Sequence, residues 1–435
     1  MSIDRAGLYC LEYKIEYEKP YRIGVTLPAM NEKGSNHMLL KRNNYHLIKK
    51  FIYQHSPISR VEVAQKLCLT TPTITGVVNA LINRGLLRDT AAPASEEGKS
   101  AGRPRVMLEF VPSAYHICGV DVGPYWINYV LTDLQGNVLA SRHTGNVLDA
   151  YDRTFDLLSR EIPAFLAEAG AGTEKLLGVG ICLPGLIDGS AGMIYTTFQP
   201  GWTEHDLSAE LGQRLGVPVV VENNVRARAI CADLFDRSVT AEPFAYFFVS
   251  YGVACQMIID GRVLYGQFAA AGEIGHTVVQ RGGPVCPTCG NRGCLEALAG
   301  ERAVLQRCRR IMDSGDATVL GELCEKPEKL TMDQVLKAQS MGDEKVNLVM
   351  EDVLDYLGIA LANTINTISP RAVILDGHML SFPENQAMLL RSVERNMFRV
   401  HVGQTRFTFL PYSPDRGARG AAAVVVRDIL LNSDL

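Results

Sequence analysis

The chain has 435 residues, 47% of them hydrophobic and 21% charged, and carries a net charge of −4. This is an ordinary globular balance, long enough for two to four domains, and it excludes wholesale disorder, collagen-like repeats and low-complexity sequence. No run of ~18 apolar residues marks a membrane span, and Asp4, Arg5, Glu12 and Lys14 stand where a secretory signal needs apolar residues, so the chain reads as cytoplasmic.

Residues 1–37 show no periodicity and read as a loosely ordered leader. A helical period begins at Leu39, with Leu40, Tyr45, Ile48, Phe51 and Ile52 on one face to about Gln54, and Pro57 marks the break. Ser59-Arg60-Val61-Glu62 has capping-box spacing and predicts a short helix burying Val61, Ala64 and Leu67. Thr71-Pro72 then reads as an N-cap with proline in the first helical position. The helix after it places Ile74, Val77, Val78, Leu81 and Ile82 on one face and ends at Arg84-Gly85. This is a helix-turn-helix pattern. Its free face presents Thr71, Thr73, Thr75 and Asn79 to a DNA major groove, with Arg60 nearby. Leu86-Leu87-Arg88 and Arg105-Val106-Met107-Leu108 read as the strands of a wing. The loop between them ends in Gly102-Arg103-Pro104, which suits a narrow A·T-rich minor groove. Residues 38–110 hold eleven basic and five acidic residues, hence +6, against −10 for the remainder. A basic module on an acidic body points to a polyanion partner for the module alone.

Residues 111–435 have the composition of an α/β body that repeats itself. His116 to Val122 and Ile127 to Leu131 lead into the turn Thr132-Asp133-Leu134-Gln135-Gly136. About 130 residues later Ala245 to Ser250, Gln256 to Ile259 and Asp260-Gly261-Arg262 follow the same plan. Two such copies predict two similar lobes facing a cleft. A later helix is predicted from Glu351 to about Ile368. Cys118, Cys182, Cys231 and Cys255 sit singly in apolar contexts and read as small buried hydrophobes.

His276, Cys286, Cys289 and Cys294 are different. Three thiols and an imidazole within nineteen positions, around the turn-rich Gly290-Asn291-Arg292-Gly293, predict a closed, structural tetrahedral zinc site.

The segment Ala271-Gly272-Glu273-Ile274-Gly275-His276 and the run from Cys286 to Glu296 resemble the signature of the ROK family of bacterial sugar kinases and sugar-responsive repressors. The resemblance continues through Gly180 to Gly185, Pro200-Gly201-Trp202, Gly216 to Asn223 and Gly417 to Ala422. Cys-x2-Cys here replaces the family's commoner Cys-x-Cys. The winged helix is similar to that of the family's repressor branch, the xylose, N-acetylglucosamine and glucose-regulon repressors. The resemblance implies an α/β fold with a two-lobed actin- or hexokinase-like (RNase H-like) body. It also implies that Asn223, Glu273, His276 and Glu296 hydrogen-bond sugar hydroxyls.

Kinase members use an aspartate as general base where this chain has Asn224, an amide that takes no proton at neutral pH. Their phosphate loops are replaced by Asp121-Val122-Gly123-Pro124-Tyr125 and Tyr251-Gly252-Val253-Ala254-Cys255-Gln256. Arg226 reads as a solvated helix residue in preference to a cation awaiting a sugar phosphate. The expected protein is therefore a repressor, not an enzyme, working as a homodimer or tetramer on operator DNA with a sugar or sugar-phosphate effector. The alternatives are an ATP-dependent hexose kinase and a regulator that docks a protein partner without binding sugar.

Overall fold

Helix α1 (His37–His55) opens the computed structural model, which describes residues 37–91, 106–145, 150–189, 192–197, 201–203, 205–236, 243–315 and 317–434. The leader before His37, the wing tip with Arg103, and Pro200 lie outside the described residues. The chain divides at Asn44: the unit that ends there contributes the first two turns of α1, and the unit from Tyr45 onward holds the rest of that helix and every later element.

After α1 come β1 (Ile58–Ser59), α2 (Arg60–Leu67), α3 (Thr71–Asn83), β2 (Leu87–Ala91) and β3 (Val106–Phe110), the strands forming an antiparallel sheet in the order β1-β3-β2. This is a winged helix-turn-helix. Ser59 and Glu62 make the expected reciprocal capping box on α2, and Cys68 ends that helix in the left-handed conformation. Two details differ from expectation. Thr70, not Thr71, caps α3 by accepting the Thr73 amide, which places Pro72 one position further into the first turn. Val61 is 57% exposed, and the buried seats on α2 are Val63 and Ala64, the face that joins the apolar cluster of Ile52, Ile58, Ile74 and Leu108. Ile48, Ile52, Ile74, Val78, Leu81, Leu108 and Phe110 complete the small core.

The first lobe contains β4 (His116–Val122), β5 (Trp126–Thr132), β6 (Val138–Gly145), α4 (Tyr151–Glu168), β7 (Leu176–Leu183), the hairpin β8 (Leu186–Asp188) and β9 (Met193–Thr196), α5 (Leu207–Leu215), β10 (Val219–Asn223) and α6 (Asn224–Phe235). The second contains β11 (Phe244–Val249), β12 (Val253–Ile259), β13 (Arg262–Val263), α7 (Leu295–Ala299), α8 (Glu301–Asp313), α9 (Leu320–Leu323), α10 (Met332–Ser340), α11 (Glu344–Ile368), β14 (Ala372–Asp376), α12 (Pro383–Asn396) and β15 (Arg406–Phe409). Sheet orders are β10-β7-β4-β5-β6 and β13-β12-β11-β14-β15. In each, three antiparallel strands are extended by two parallel ones. The predicted repeat is thus a duplicated topology. Helix α11 starts seven residues before the expected Glu351, because Asp343 caps it by accepting the Lys345 and Val346 amides.

The chain closes with α13 (Arg416–Val425), which returns to the first lobe and runs into a π-helical stretch, Val426–Leu431. A Cβ at Gly119 of β4 would lie 2.0 Å from the Ala418 carbonyl oxygen, and one at Gly180 of β7 would lie 2.0 Å from that of Ala421. Glycine on the strands and alanine on the helix therefore let α13 lie directly on the sheet. Among the described residues no helix is long and apolar enough to cross a membrane.

Candidate sugar site, metal cluster and nucleic-acid interface

The ligating atoms of His276, Cys286, Cys289 and Cys294 all lie within 4.8 Å of one another. Cys289 Sγ is 3.6 Å from Cys294 Sγ, and Cys286 Sγ is 3.7 Å from His276 Nδ1. A tetrahedral ion with metal–sulfur bonds of about 2.3 Å needs ligand edges of about 3.8 Å, so the donor set and its spacing fit. The backbone prepares the knuckle: the Cys286 amide donates to Asn291 O, Gly290 N–H to Cys286 O, and the Val279 amide to Gly293 O. Gly290 and Gly293 both have positive φ, and a side chain on Gly293 would run into the Gln280 carbonyl. Burial opposes ionisation of Cys289, but hydrogen bonds from the Asn291 amide and the Cys294 and Cys286 thiols outweigh it and hold its pKa below the usual thiol value. Cys294 is pushed up to about 12, by burial first and then by Cys289.

The same loop carries part of the candidate sugar site. Glu273 precedes the 3-10 turn Ile274–His276, and Glu296 lies in the first turn of α7, two residues after Cys294. Burial raises the Glu273 pKa; His276 and Arg226 oppose the rise, and Glu296 adds to it. The fold thus gathers Glu273, His276 and Glu296. Glu296 accepts the Thr288 hydroxyl, which ties it to the metal knuckle. Asn223 reaches the region from β10, but much of its amide is committed to the fold. Its Oδ1 accepts the Val225 and Arg226 amides as the N-cap of α6, and its Nδ2 donates to Gly185 O. Asn224 follows, half-buried, as the first residue of that helix.

Arg226 overturns the solvated reading. It is 1% exposed, and its guanidinium donates to Glu222 Oε1 at 2.7 Å, to Ala269 O at 2.8 Å and to Ile187 O. A buried cation persists only where each donor is met, and Arg226 joins the β8–β9 hairpin to the turn at Ala269. The Glu-x-x-x-Arg spacing from Glu222 was the signal available in the sequence.

A second buried charge cluster escaped sequence analysis. Arg228 pairs with Asp121 at 3.2 Å and Asp376 at 3.8 Å, Arg416 pairs with Asp376 at 2.8 Å, and the Tyr246 hydroxyl donates to Asp376. These groups bring together β4, α6, β11, β14 and α13. Asp121, Arg228 and Asp376 edge an interlobe cavity of about 230 Å³, which Trp126, Glu301, His378 and Tyr412 also line. Burial pushes the Glu301 carboxyl up to about 7.

On α3, Thr71 and Asn79 are exposed, and Thr73 and Thr75 are half-buried. The Thr73 hydroxyl is 2.9 Å from that of Thr70 and so also belongs to the helix cap. Arg60 is ion-paired with Asp89 of the wing at 2.8 Å. That pair braces α2 against β2.

Residues 117–428, most of the chain, match the model of the ROK family. The chain belongs to the ROK family. It is 30% identical over 354 residues to the xylose repressor of Bacillus subtilis (strain 168), covering 81% of this chain and 86% of that protein. Among solved structures it is similar to a ROK family transcriptional regulator described as a homolog of the Escherichia coli MLC protein. That likeness has 25% identity and a TM-score of 0.75, over 90% of this chain and 98% of the other. A ROK glucokinase from Streptomyces griseus, solved with glucose and AMPPNP, shares the fold of the body at 24% identity and a TM-score of 0.60. It covers 71% of this chain and 98% of its own.

The turns at Tyr125 and Tyr251 place two aromatic rings in the interlobe cleft with centroids 4.8 Å apart, and Trp126 lies 6.0 Å from Tyr251. The carboxylates of Asp121 and Asp376 are already matched by arginines of the fold.

Proposed function

We propose that this ROK protein is a DNA-binding transcriptional repressor controlling carbohydrate uptake or metabolism, and that a sugar or sugar derivative sets its affinity for operator DNA. The observation that carries the reading is the joining, in one chain, of a winged helix-turn-helix to a ROK body with Asn224 at the base position and tyrosines at both phosphate-loop turns. In this reading residues 38–110 form the DNA module. Thr71, Thr73, Thr75 and Asn79 face the major groove, Arg60 lies beside phosphate, and Arg103 enters the minor groove. Residues 111–435 form the sensor, with Asn223, Glu273, His276 and Glu296 on the sugar.

His276, Cys286, Cys289 and Cys294 hold a zinc ion. Its part is structural: four protein ligands leave no open coordination position. The repressor acts as a homodimer or tetramer, since paired recognition helices are needed for half-sites one helical turn apart.

The test pairs two measurements. Operator fragments selected from random DNA are titrated with the protein, with and without D-xylose, D-glucose, glucose 6-phosphate and N-acetylglucosamine 6-phosphate. A coupled ADP-release assay runs on the same sugars. Sequence-specific binding that shifts with one sugar, without ADP release, is the expected result. Sugar-dependent ADP release would replace this reading with the kinase one. Operator binding indifferent to every sugar would favour a regulator that docks a protein.

A further inference from the structure

Glu222 stands at the end of β10, immediately before Asn223, and is fully buried. Its Oε1 accepts from Arg226 Nε at 2.7 Å and from the Asn223 amide at 2.8 Å. Its Oε2 accepts from the Tyr265 hydroxyl at 2.9 Å and from Arg427 Nη2 at 3.3 Å. Arg427 closes a triangle by donating Nη1 to the Tyr265 oxygen at 2.8 Å. Tyr265 begins the segment that leads to Glu273, and its carbonyl accepts the Ala271 amide. One guanidinium therefore braces both walls of the candidate sugar site, the end of β10 with Asn223 and the stretch from Tyr265 to Glu273.

Arg427 belongs to the π-helical stretch that ends the chain's last helix, a widened geometry frequent at functional sites. Six residues later the same segment reaches the winged helix. Lys49 donates to Ser433 O at 2.8 Å, His46 pairs with the Asp434 carboxylate at 3.0 Å, and Arg84 donates to Asp434 O at 2.9 Å. His46 and Lys49 lie on α1, whereas Arg84 is the C-cap of α3 and also donates to the Tyr45 hydroxyl. Leu430 and Leu431 are buried in one apolar cluster with Ile48, Ile52 and Ile74. The connection is packed as far as Leu431 and continues through the hydrogen bonds of Ser433 and Asp434.

We propose that Arg427 is the residue that couples sugar occupancy to the pose of the winged helix. The proposal rests on the sugar-sensing reading above. A ligand that engages Asn223 or Glu273 redraws the hydrogen bonds of Glu222 and Tyr265. The Arg427 guanidinium, bound through Nη1 to Tyr265 and through Nη2 to Glu222, moves with them, and its bidentate pair with the adjacent Asp428 at 2.7 and 2.8 Å carries the movement into the π-helical stretch. Close packing then carries the shift through Leu430 and Leu431 to the Ser433–Asp434 grip on α1 and α3. By linkage, operator DNA changes sugar affinity by the same factor that sugar changes operator affinity.

The full-length chain tests this, with the four sugars above as probes, sugar affinity read by calorimetry and operator affinity by fluorescence anisotropy. Arg427→Gln should keep sugar-free operator affinity within about threefold of the parent, while the change in operator affinity at saturating sugar falls at least tenfold. Tyr265→Phe, which removes one hydroxyl and keeps the ring, should reduce that change in the same direction, as should truncation after Leu431. The two substitutions keep the question open to an answer if the truncated chain does not fold. An Arg427→Gln protein that responds to sugar as the parent does overturns the coupling and leaves the repressor reading intact. A parent protein whose operator binding ignores all four sugars overturns the sensor reading and the coupling together.

Discussion

Tyr125 and Tyr251 meet across the cleft between the lobes, one from the β4–β5 turn and the other from the β11–β12 turn, with ring centroids 4.8 Å apart. Phosphate binding by a loop depends on bare backbone amides approaching the anion, and a tyrosine in each turn puts bulk in that approach. In the repressor reading, the amide at Asn224 and the tyrosines of the two turns are separate obstacles to phosphoryl transfer. Asn224→Asp alone should therefore yield no sugar-dependent ADP release above background in a coupled assay. Release from that single variant would show that the tyrosines leave room for nucleotide.

Glu301 lines the cleft, and its titration is displaced by burial. Burial raises its folded pKa from the usual 4.5 to about 7, against the Ser250 hydrogen bond that lowers it. The native state then holds this proton more tightly than the unfolded chain. The associated stabilisation is fully present below pH 4.5, declines as pH rises, and is gone above about pH 7, a span of about 3 kcal/mol at most. Glu301→Gln, which keeps the shape without the charge, should raise stability at pH 8 by about 1–3 kcal/mol and leave pH 4.5 nearly unchanged. Denaturant titrations at the two pH values decide it, and a variant equally displaced at both would mean that Glu301 does not titrate in this range.

Arg226 carries the opposite kind of burial, a charge whose partners are all in place. Arg226→Met should destabilise the fold by about 3–5 kcal/mol, since Glu222 loses its nearest cation and two carbonyls lose their donor. Arg226→Lys should recover little, because one ammonium cannot span the three directions that the planar guanidinium serves. Thermal unfolding of both variants measures the difference. Full recovery by lysine would reduce the site to charge alone.

The parts legible in the sequence are those whose causes are local. Ser59 and Glu62 stand three residues apart, so the capping box of α2 could be read directly. The ligand set from His276 to Cys294 fits within one loop, and its spacing was itself the signal. The misplaced Val61 shows how far a local reading extends: the capping box fixes the start of α2, but which of its faces turns inward is set by the rest of the small core. Arg226 was misread because the carbonyls that hold it belong to Ile187 and Ala269, 39 and 43 positions away. The link from Arg427 to Glu222 spans 205 positions, and that from Lys49 to Ser433 spans 384. No periodicity or motif encodes such pairs; only the return of the last helix to the first lobe brings them together.

On the DNA side, Asn79 is exposed on the face of α3 opposite the buried Ile74, Val78 and Leu81. An amide there can pair bidentately with adenine, a contact that distinguishes one base from the others. Asn79→Ala should cost about 1–3 kcal/mol on the selected operator and little on random DNA. Equal losses on both would assign Asn79 to the DNA backbone. Arg60, already paired with Asp89, should behave in that second way: Arg60→Ala weakens all sequences alike and flattens the salt dependence.

In the proposed reading the metal cluster and the sugar site share His276. Its Nδ1 faces Cys286 Sγ at 3.7 Å, which leaves Nε2 as the nitrogen available to a ligand, and Glu273 and Glu296 flank the cluster in sequence on either side. A metal-fixed imidazole has one tautomer and one orientation, whereas a free one has neither. Cys289→Ser removes the exposed thiol of the set and should lower bound zinc from one ion per chain to a small fraction of that. Sugar affinity should fall at least about tenfold with it, the scale on which metal sites respond to disturbed neighbours. Operator affinity without sugar should stay within about threefold of the parent, because no ligand of the cluster lies on the winged helix. Elemental analysis, calorimetry with the sugar panel and anisotropy on one protein sample separate these effects. A zinc-depleted Cys289→Ser protein that binds sugar as tightly as the parent would confine the cluster to stapling its own loop and would detach His276 from the sugar site.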